Sequence, residues 1–417
     1  MSYLKQDDPE IFDLIQQEAL RIENSIDLVA SETHMPRSVL EAMGSVLNHK
    51  TIEGYPGKRY HGGCEVVDQV ERLAISRMKT LFGAEHVNVQ PHTGSAANFA
   101  AYFSALDVGD RVLAMSLAHG GHLTHGHLAS ATSKCFEFQH YRVDMASELI
   151  DYEALERQAQ SFKPKMIVAG ASSYPRLIDY PRIADIARSV GAYFFVDMAH
   201  IAGLVAGGVI PSPVEEADLV SFTTFKTMSG GRGGVILCKQ HLADAVDKAV
   251  FPGLQGTSAV NNIAAKAVIA KLAHEEPFRE LQRKTLENAV SLAKELAAKG
   301  YRLVANGTDT HQVVVDVTSK GVGGARAEKA LEAVGIITNR NYIPKDSSNR
   351  ASGLRLGSNP ISLRGMGAAE IRCIVDVIDA VLMSPQQEQV LGRAKARVLE
   401  LCQRFPVYPE LRLKNPH

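Results

Sequence analysis

Cysteine is scarce in this chain: five in 417 residues, Cys64, Cys135, Cys238, Cys373 and Cys402, odd in number and widely scattered. That pattern excludes a disulfide framework, and no two lie at metal-ligand spacing, so they are read as reduced thiols. An excess of charge is also missing. Lys plus Arg number 45 against 46 for Asp plus Glu, a net charge of -1, and no run of five like charges occurs. Nothing therefore favours nucleic acid or an anionic membrane as partner, and small molecules become the expected ligands. No apolar run is long enough to span a bilayer, and the opening "MSYLKQDDPE" lacks a basic-then-apolar signal pattern. A cytoplasmic protein is expected. Tandem repeats and low-complexity stretches are absent as well.

What is present is enough apolar sequence, 45% of the chain, to bury a sizeable core. "DPEIFDLIQQEALRIENSIDLVAS" begins with an Asp-Pro helix start, and Ile11, Leu14, Ile15 and Ile22 recur at helical spacing, which predicts an N-terminal arm or helical segment over 1–64. From about Val66 to Leu272 the apolar runs "DRVLAMSL", "KPKMIVAG", "GAYFFVDM", "LVSFTTF" and "GGVILCK" alternate with helix-length amphipathic stretches. Such alternation predicts a large α/β domain over 65–275 with a mostly parallel sheet. A long helix after "AHEEP", then "HQVVVDVT", "GIITN" and "GLRLGS", predicts a smaller C-terminal α/β domain over 276–417.

Ligands of open α/β sheets collect where strands end, so the polar residues following each apolar run are the site candidates. In "VNVQPHTGSAANFAAYFSAL", Thr93, Gly94 and Ser95 precede an Ala-rich helix, where free backbone N–H groups and a hydroxyl suit a phosphate. An ordinary Ser/Thr N-cap explains the same residues. "MSLAHGGHLTHGHLAS" holds His119, His122, His125 and His127, spaced three, three and two apart without nearby carboxylates. These match no standard metal-ligand pattern, and no metal is expected. An imidazole in such a loop can instead stack on an aromatic ring. "AGASSYP" ends a strand with Ser172 and Ser173, which equally fit a plain turn.

"YFFVDMAH" closes an apolar strand with Asp197 and, three residues on, His200. A carboxylate there is expensive to bury unless it caps a helix or meets a cation, and the pyridinium nitrogen of pyridoxal phosphate is one such cation. Lys226 follows 29 residues later, which leaves room for a crossover and one more strand and so can bring both side chains to one sheet edge. A lysine at a strand end, partly desolvated and beside cationic or hydrophobic neighbours, has the lowered pKa needed to attack an aldehyde. Thr223 and Thr224 can hydrogen-bond a cofactor, and the glycines of "TFKTMSGGRGG" allow the backbone to approach it closely.

With these residues in place, the chain resembles the serine hydroxymethyltransferase family over nearly its whole length, through "EGYPGKRYHGGCE", "LAHGGHLTHG", "FVDMAHIAGLVAGGVIPSPV", "TTFKT", "GRGG", "FPGLQG" and "GLRLGSNP". The resemblance implies a pyridoxal-phosphate-dependent transferase of fold type I, the aspartate-aminotransferase group. It implies Lys226 as the Schiff-base lysine, Asp197 as the pyridinium partner and His122 as the stacking imidazole, with Thr93, Gly94, Ser95, Ser172, His200 and Gly256 among the cofactor contacts. Arg355 then holds the substrate carboxylate, a group suited to a bidentate guanidinium, with Glu53, His200 and His61 close by. Glu53 falls on the acid/base glutamate, with Tyr60 beside it and Thr223 next to the lysine, while Leu117, Gly121, Leu123 and Asn341 fall on contacts to tetrahydrofolate.

The activity so implied is reversible cleavage of serine, or of an α-substituted serine such as α-methylserine, with one-carbon transfer to tetrahydrofolate. The family assembles its site from two subunits, Glu53, Tyr60 and the Gly256 segment reaching across, so an obligate homodimer is expected, with tetramers left open. Four positions depart from the family pattern: Phe225 replaces a histidine before the lysine, Thr51 a tyrosine, His61 the second tyrosine of Tyr-Tyr-Gly-Gly, and Thr257 a glycine. Phe225 and His61 leave a folate-independent threonine aldolase or threonine transaldolase as the alternative.

Overall fold

The computed structural model describes residues 3–346 and 350–408, so the outermost ends of the expected first and last segments lie outside the described residues. Seven strands form the central sheet: β1 His86–Asn88, β2 Arg111–Met115, β3 Glu137–Tyr141, β4 Met166–Ala169, β5 Tyr193–Asp197, β6 Leu219–Thr223 and β7 Gly234–Cys238. Their spatial order is β1-β7-β6-β5-β4-β2-β3. From β6 across to β3 every neighbouring pair is parallel. Only β7 reverses, running antiparallel to both β6 and β1. The reason is length: residues 224–233 are too few to hold a crossover helix with its loops, so the chain turns back beside β6. That turn carries Lys226.

Period-two alternation puts successive side chains of one strand into different layers. Phe194 and Val196 of β5, Ile167 and Ala169 of β4, and Val220 and Phe222 of β6 pack into one core; Phe195, Met166, Val168 and Leu219 pack into another on the opposite face. Strands covered on both sides read as unbroken apolar runs, which is why the sequence shows them so clearly. The mixed α/β architecture with one large, mostly parallel sheet is that of fold type I, as the sequence resemblance implies.

A second sheet of four antiparallel strands, β8 Arg302–Leu303, β9 Gln312–Asp316, β10 Asn339–Asn341 and β11 Gly353–Gly357, lies in the order β8-β9-β11-β10. Its core includes Leu292 and Leu296 of the helix Glu276–Ala298, and Ile374, Ile378 and Val381 of the helix Ala368–Met383. Ile26 and Leu28 join this core, and Ile26–Asp27 pairs in parallel with Ile336–Ile337, so part of the N-terminal segment packs with the C-terminal layer. Arg364, 6% exposed, fastens that junction by donating to the carbonyl oxygens of Ser25, Glu23, Cys402 and Phe405.

The helix Pro9–Glu23 starts at the Asp-Pro signal, with Asp8 Oδ1 accepting from Ile11 N–H at 3.0 Å. None of its residues is buried, and Ile11, Leu14 and Ile15 stand 45%, 57% and 50% exposed. The helical spacing of these residues is real, but their apolar face has no cover among the described residues. No helix among the described residues is long and apolar enough to cross a membrane.

Candidate active site

Five strand ends converge on one cavity, the loop after β2 contributing His122. After β1 the chain runs through residues 89–93 into the helix Gly94–Ala105, whose N-cap Thr93 accepts from the Ala96 N–H at 3.0 Å. The capping explanation of Thr93 is therefore correct, and it also aims the helix N-terminus into the cavity, which Thr93, Gly94 and Ser95 line. A side chain at position 94 would meet Thr223 Cγ2 at 2.5 Å, so only glycine lets the helix start approach β6 this closely. Ser172 lines the cavity from the end of β4, Asp197 and His200 from β5, and Thr223, Phe225 and Lys226 from β6. The open space is about 140 Å³.

Asp197 is the electrostatic centre of the site. It lies opposite Ser221 in the parallel register of β5 and β6 and is 8% exposed. Its Oδ2 accepts from Asn98 Nδ2 at 2.7 Å and from His125 Nε2 at 3.3 Å, while Oδ1 accepts from the Ala199 N–H at 3.0 Å. Burial pushes its carboxyl up, but His125, His122 and Lys226 outweigh burial and hold it well below the usual carboxylate range. A desolvated carboxylate, ionised at neutral pH, is thereby fixed at the end of β5.

The histidine tautomers follow from their donors. His125 Nδ1 accepts the His122 N–H at 3.2 Å, so its proton is on Nε2, facing Asp197. His122 Nδ1 accepts from the Thr124 N–H at 3.2 Å and from the Thr124 hydroxyl at 2.7 Å, and Asn98 Nδ2 donates to that hydroxyl in turn. Burial lowers His122 to about 4, which keeps its ring neutral and flat-faced at neutral pH. Donor atoms of His122, His125 and Asp197 lie within 4.8 Å of one another, as in a metal site. Here His122 Nδ1 is engaged by Thr124 and Asp197 Oδ2 by Asn98, which makes the group a hydrogen-bonded frame around a carboxylate.

Lys226 sits beyond β6 with its Nζ 5.9 Å from the centre of the Phe225 ring, and the guanidinium of the exposed Arg232 covers the same ring at 4.6 Å. Burial lowers the Lys226 amine to about 8; Asp197 opposes this and Arg355 adds to it. The expected nucleophile thus has its pKa lowered by desolvation, as its place at a strand end suggested. Arg355 projects from β11, donates from Nη1 to the Ser172 carbonyl at 2.6 Å and from Nε to Asn339 Oδ1 at 3.2 Å, and is lowered to about 10 by burial. It borders the cavity rather than lining it. His200 stacks on His311 at 5.6 Å, and the Nδ1 atoms of both rings are buried without a hydrogen-bond partner among the described residues.

Like Arg355 and the expected folate contacts, Glu53, Tyr60, His61 and Gly256 do not line this cavity. A side chain on Gly256 would lie 3.5 Å from Glu53 Oε1, the Tyr60 N–H donates to the Glu53 carbonyl at 3.1 Å, and Tyr60 is 76% exposed. Thr257, where the family has glycine, accepts the Ile52 N–H on its hydroxyl at 2.6 Å and so ties this region together. Leu117, Gly121 and the 49% exposed Leu123 occupy the loop after β2 that also presents His122, and Asn341 ends β10, the neighbour of the strand carrying Arg355.

Asn98, Thr124 and His311 escaped the reading of the sequence, and His125, one of the four histidines of its loop, was not assigned to Asp197. Asn98 had a signal: it is the one amide on the buried face of an Ala-rich helix, one turn after Gly94. The pairing of His125 with Asp197 had none, because the two lie 72 residues apart.

A family model described as serine hydroxymethyltransferase matches residues 4–378 of the 417, so the chain belongs to that family, whose members are pyridoxal-phosphate-dependent one-carbon transferases.

Proposed function

We propose that this member of the serine hydroxymethyltransferase family cleaves serine, or an α-substituted serine such as α-methylserine, reversibly and passes the one-carbon unit to tetrahydrofolate. The observation that carries this reading is the convergence of Lys226, ionised Asp197 and the Thr93–Ser95 helix start on one cavity. The donor set fits the family's cofactor: an amine with a lowered pKa, a carboxylate for a ring nitrogen, a neutral imidazole for a ring face, N–H groups for a phosphate, and the orphaned Nδ1 of His200 as a spare polar atom. When bound, pyridoxal phosphate supplies an electron sink for the bond broken at the substrate's α-carbon.

The chain's own residues then have separable tasks. Lys226 would hold the cofactor through Nζ, with Asp197 as the carboxylate for its ring nitrogen and His122 as the imidazole for its ring face. Ser172, His200 and Thr223 contact the cofactor or substrate from the strand ends. Arg355 binds the substrate carboxylate; its Nη1 bond to the Ser172 carbonyl fixes the guanidinium beside the cavity. Leu117, Gly121, Leu123 and Asn341 hold the folate.

Glu53 moves protons at the substrate hydroxyl, with Tyr60 and His61 beside it, and together with Gly256 acts in the cavity of a second copy in an obligate homodimer. Their absence from the cavity of their own chain supports this arrangement.

Phe225 favours a second reading. An aromatic ring stands where the family has a polar imidazole, directly beside the reactive amine, which suits an added apolar group on the substrate and a threonine aldolase or transaldolase that uses no folate. A panel of serine, α-methylserine, threonine and allo-threonine, each with and without tetrahydrofolate, separates the two. Folate-dependent release of glycine from serine or alanine from α-methylserine supports the first; acetaldehyde from threonine at a rate folate does not change supports the second and overturns the first.

A further inference from the structure

Lys266 is the most deeply buried lysine among the described residues and has no place in the reaction described above. It is 1% exposed, within the helix Val260–Ala273. Its Nζ donates to three backbone carbonyls: Val89 at 2.6 Å, Gly234 at 2.8 Å and Pro91 at 3.1 Å. Three donors meeting three acceptors describe a protonated ammonium. No carboxylate touches it; burial pulls its pKa down to about 7 and Glu71 opposes the fall.

The carbonyls it gathers come from two segments that border the cavity. Val89 and Pro91 lie past the end of β1, on the stretch leading to Thr93, Gly94 and Ser95. Gly234 opens β7, where the loop carrying Lys226 returns to the sheet. The two segments also touch directly: the Gly234 N–H donates to the Pro91 carbonyl at 3.0 Å, and a side chain at Gly234 would meet the Thr93 carbonyl oxygen at 2.4 Å. Gly233 has φ +153, and a side chain there would strike Lys266 Cε at 2.4 Å, so the backbone is shaped around the lysine. Gln90, between the two accepting carbonyls of the first segment, donates to Glu71, which is itself paired with Arg59. Lys266 thus has backbone carbonyls as its direct partners, and Glu71 favours its charge without touching it.

We propose that Lys266 is a positioning residue for phosphate binding: its ammonium clamps residues 89–91 to Gly234, fixes the direction in which Thr93–Ser95 enter the cavity, and adds a buried positive charge behind that helix start. The inference rests on the reading of the cavity as a pyridoxal-phosphate site. It deepens that reading by assigning selectivity for the phosphate, as distinct from the pyridine ring, to a residue outside the cavity. A methionine or glutamine at 266 matches the stem but leaves at least one of three buried carbonyls unpaired.

The test compares two probes on cofactor-stripped protein, pyridoxal 5'-phosphate and 5'-deoxypyridoxal, which lacks the phosphate. In Lys266→Met the dissociation constant for pyridoxal phosphate is expected to rise at least tenfold, while that for 5'-deoxypyridoxal stays within twofold of wild type. Equal weakening of both probes overturns the proposal, as does an unchanged preference for the phosphorylated one. Should Lys266→Met fail to fold, Lys266→Gln is measured in the same way; failure of both to fold overturns the proposal by assigning the lysine to the fold alone. A wild-type chain with no preference for the phosphorylated probe overturns the cofactor reading itself, an outcome distinct from a preference that survives in the variants.

Discussion

His125 and Asp197 face each other across 3.3 Å, both buried, the imidazole Nε2–H directed at the carboxylate Oδ2. This pair, with Asn98 on the same oxygen, holds a charge at the end of β5 that burial alone would neutralise. Removing one partner therefore acts on the other.

Asp197→Asn is expected to lower kcat by two to three orders of magnitude while the protein still folds, because the amide keeps the shape and loses the charge. His125→Ala is expected to cost less, about tenfold, and to shift the activity profile in acid upward in pH as the Asp197 carboxyl loses its main stabiliser. The folded pKa of Asp197 is depressed, so its contribution to stability is complete above about 4, the ordinary value for an unfolded chain. That contribution is lost as pH falls toward the folded value. Acid unfolding followed by circular dichroism should begin at higher pH in Asp197→Asn, which has no such charge; identical acid limbs would contradict the account.

Lys226 gives a dependence of the same sense in a more alkaline window. Its amine is lowered to about 8, so at pH 7 roughly a tenth is neutral, against well under a thousandth for an ordinary lysine. Capture of pyridoxal phosphate by stripped protein, followed by visible absorbance, should accelerate with pH and level off just above pH 8, whereas a plateau near 10.5 would show an unperturbed amine. In stability terms the unfolded chain binds the extra proton between about 8 and 10.4, so this group makes stability rise with pH through that window.

Glu53 lies outside the cavity of its own chain, which makes the subunit arrangement testable by mixing. Lys226→Ala and Glu53→Gln are each expected to reduce activity at least a hundredfold. Co-refolded in equal amounts, they should recover about a quarter of wild-type activity, since half the dimers are mixed and each mixed dimer has one intact site. No recovery, with mixed dimers confirmed by native mass spectrometry, would place Glu53 and Lys226 in the same chain's site.

Arg364 addresses stability apart from chemistry. Its guanidinium satisfies carbonyls of Glu23, Ser25, Cys402 and Phe405, and Arg364→Met removes this donor from all four, two of them in buried bonds. A loss of about 3 kcal/mol or more is expected from orphaned backbone acceptors, read by urea denaturation. Cofactor affinity of the folded fraction should be unchanged, because none of these atoms borders the cavity.

The strands and the glycine-rich turn were legible because burial on both faces forces unbroken apolar runs, and a short return to the sheet forces glycine near Lys226. Thr93 was legible as a cap for the same local reason. His125, His311 and Lys266 were not, since each takes its role from partners far off in the chain: Asp197, His200 and the carbonyls of Val89, Pro91 and Gly234. The apolar stripe of Ile11, Leu14 and Ile15 was read correctly as helical, yet period alone does not say what covers it.

The order of residues settled which side chains end each strand, because alternation and chain length fix where apolar runs stop and polar loops begin. Folding in three dimensions settled which of those ends meet, which proton each histidine keeps, and which group has its charge held by neighbours. Those properties depend on distance and desolvation, and both are created only when remote segments pack together.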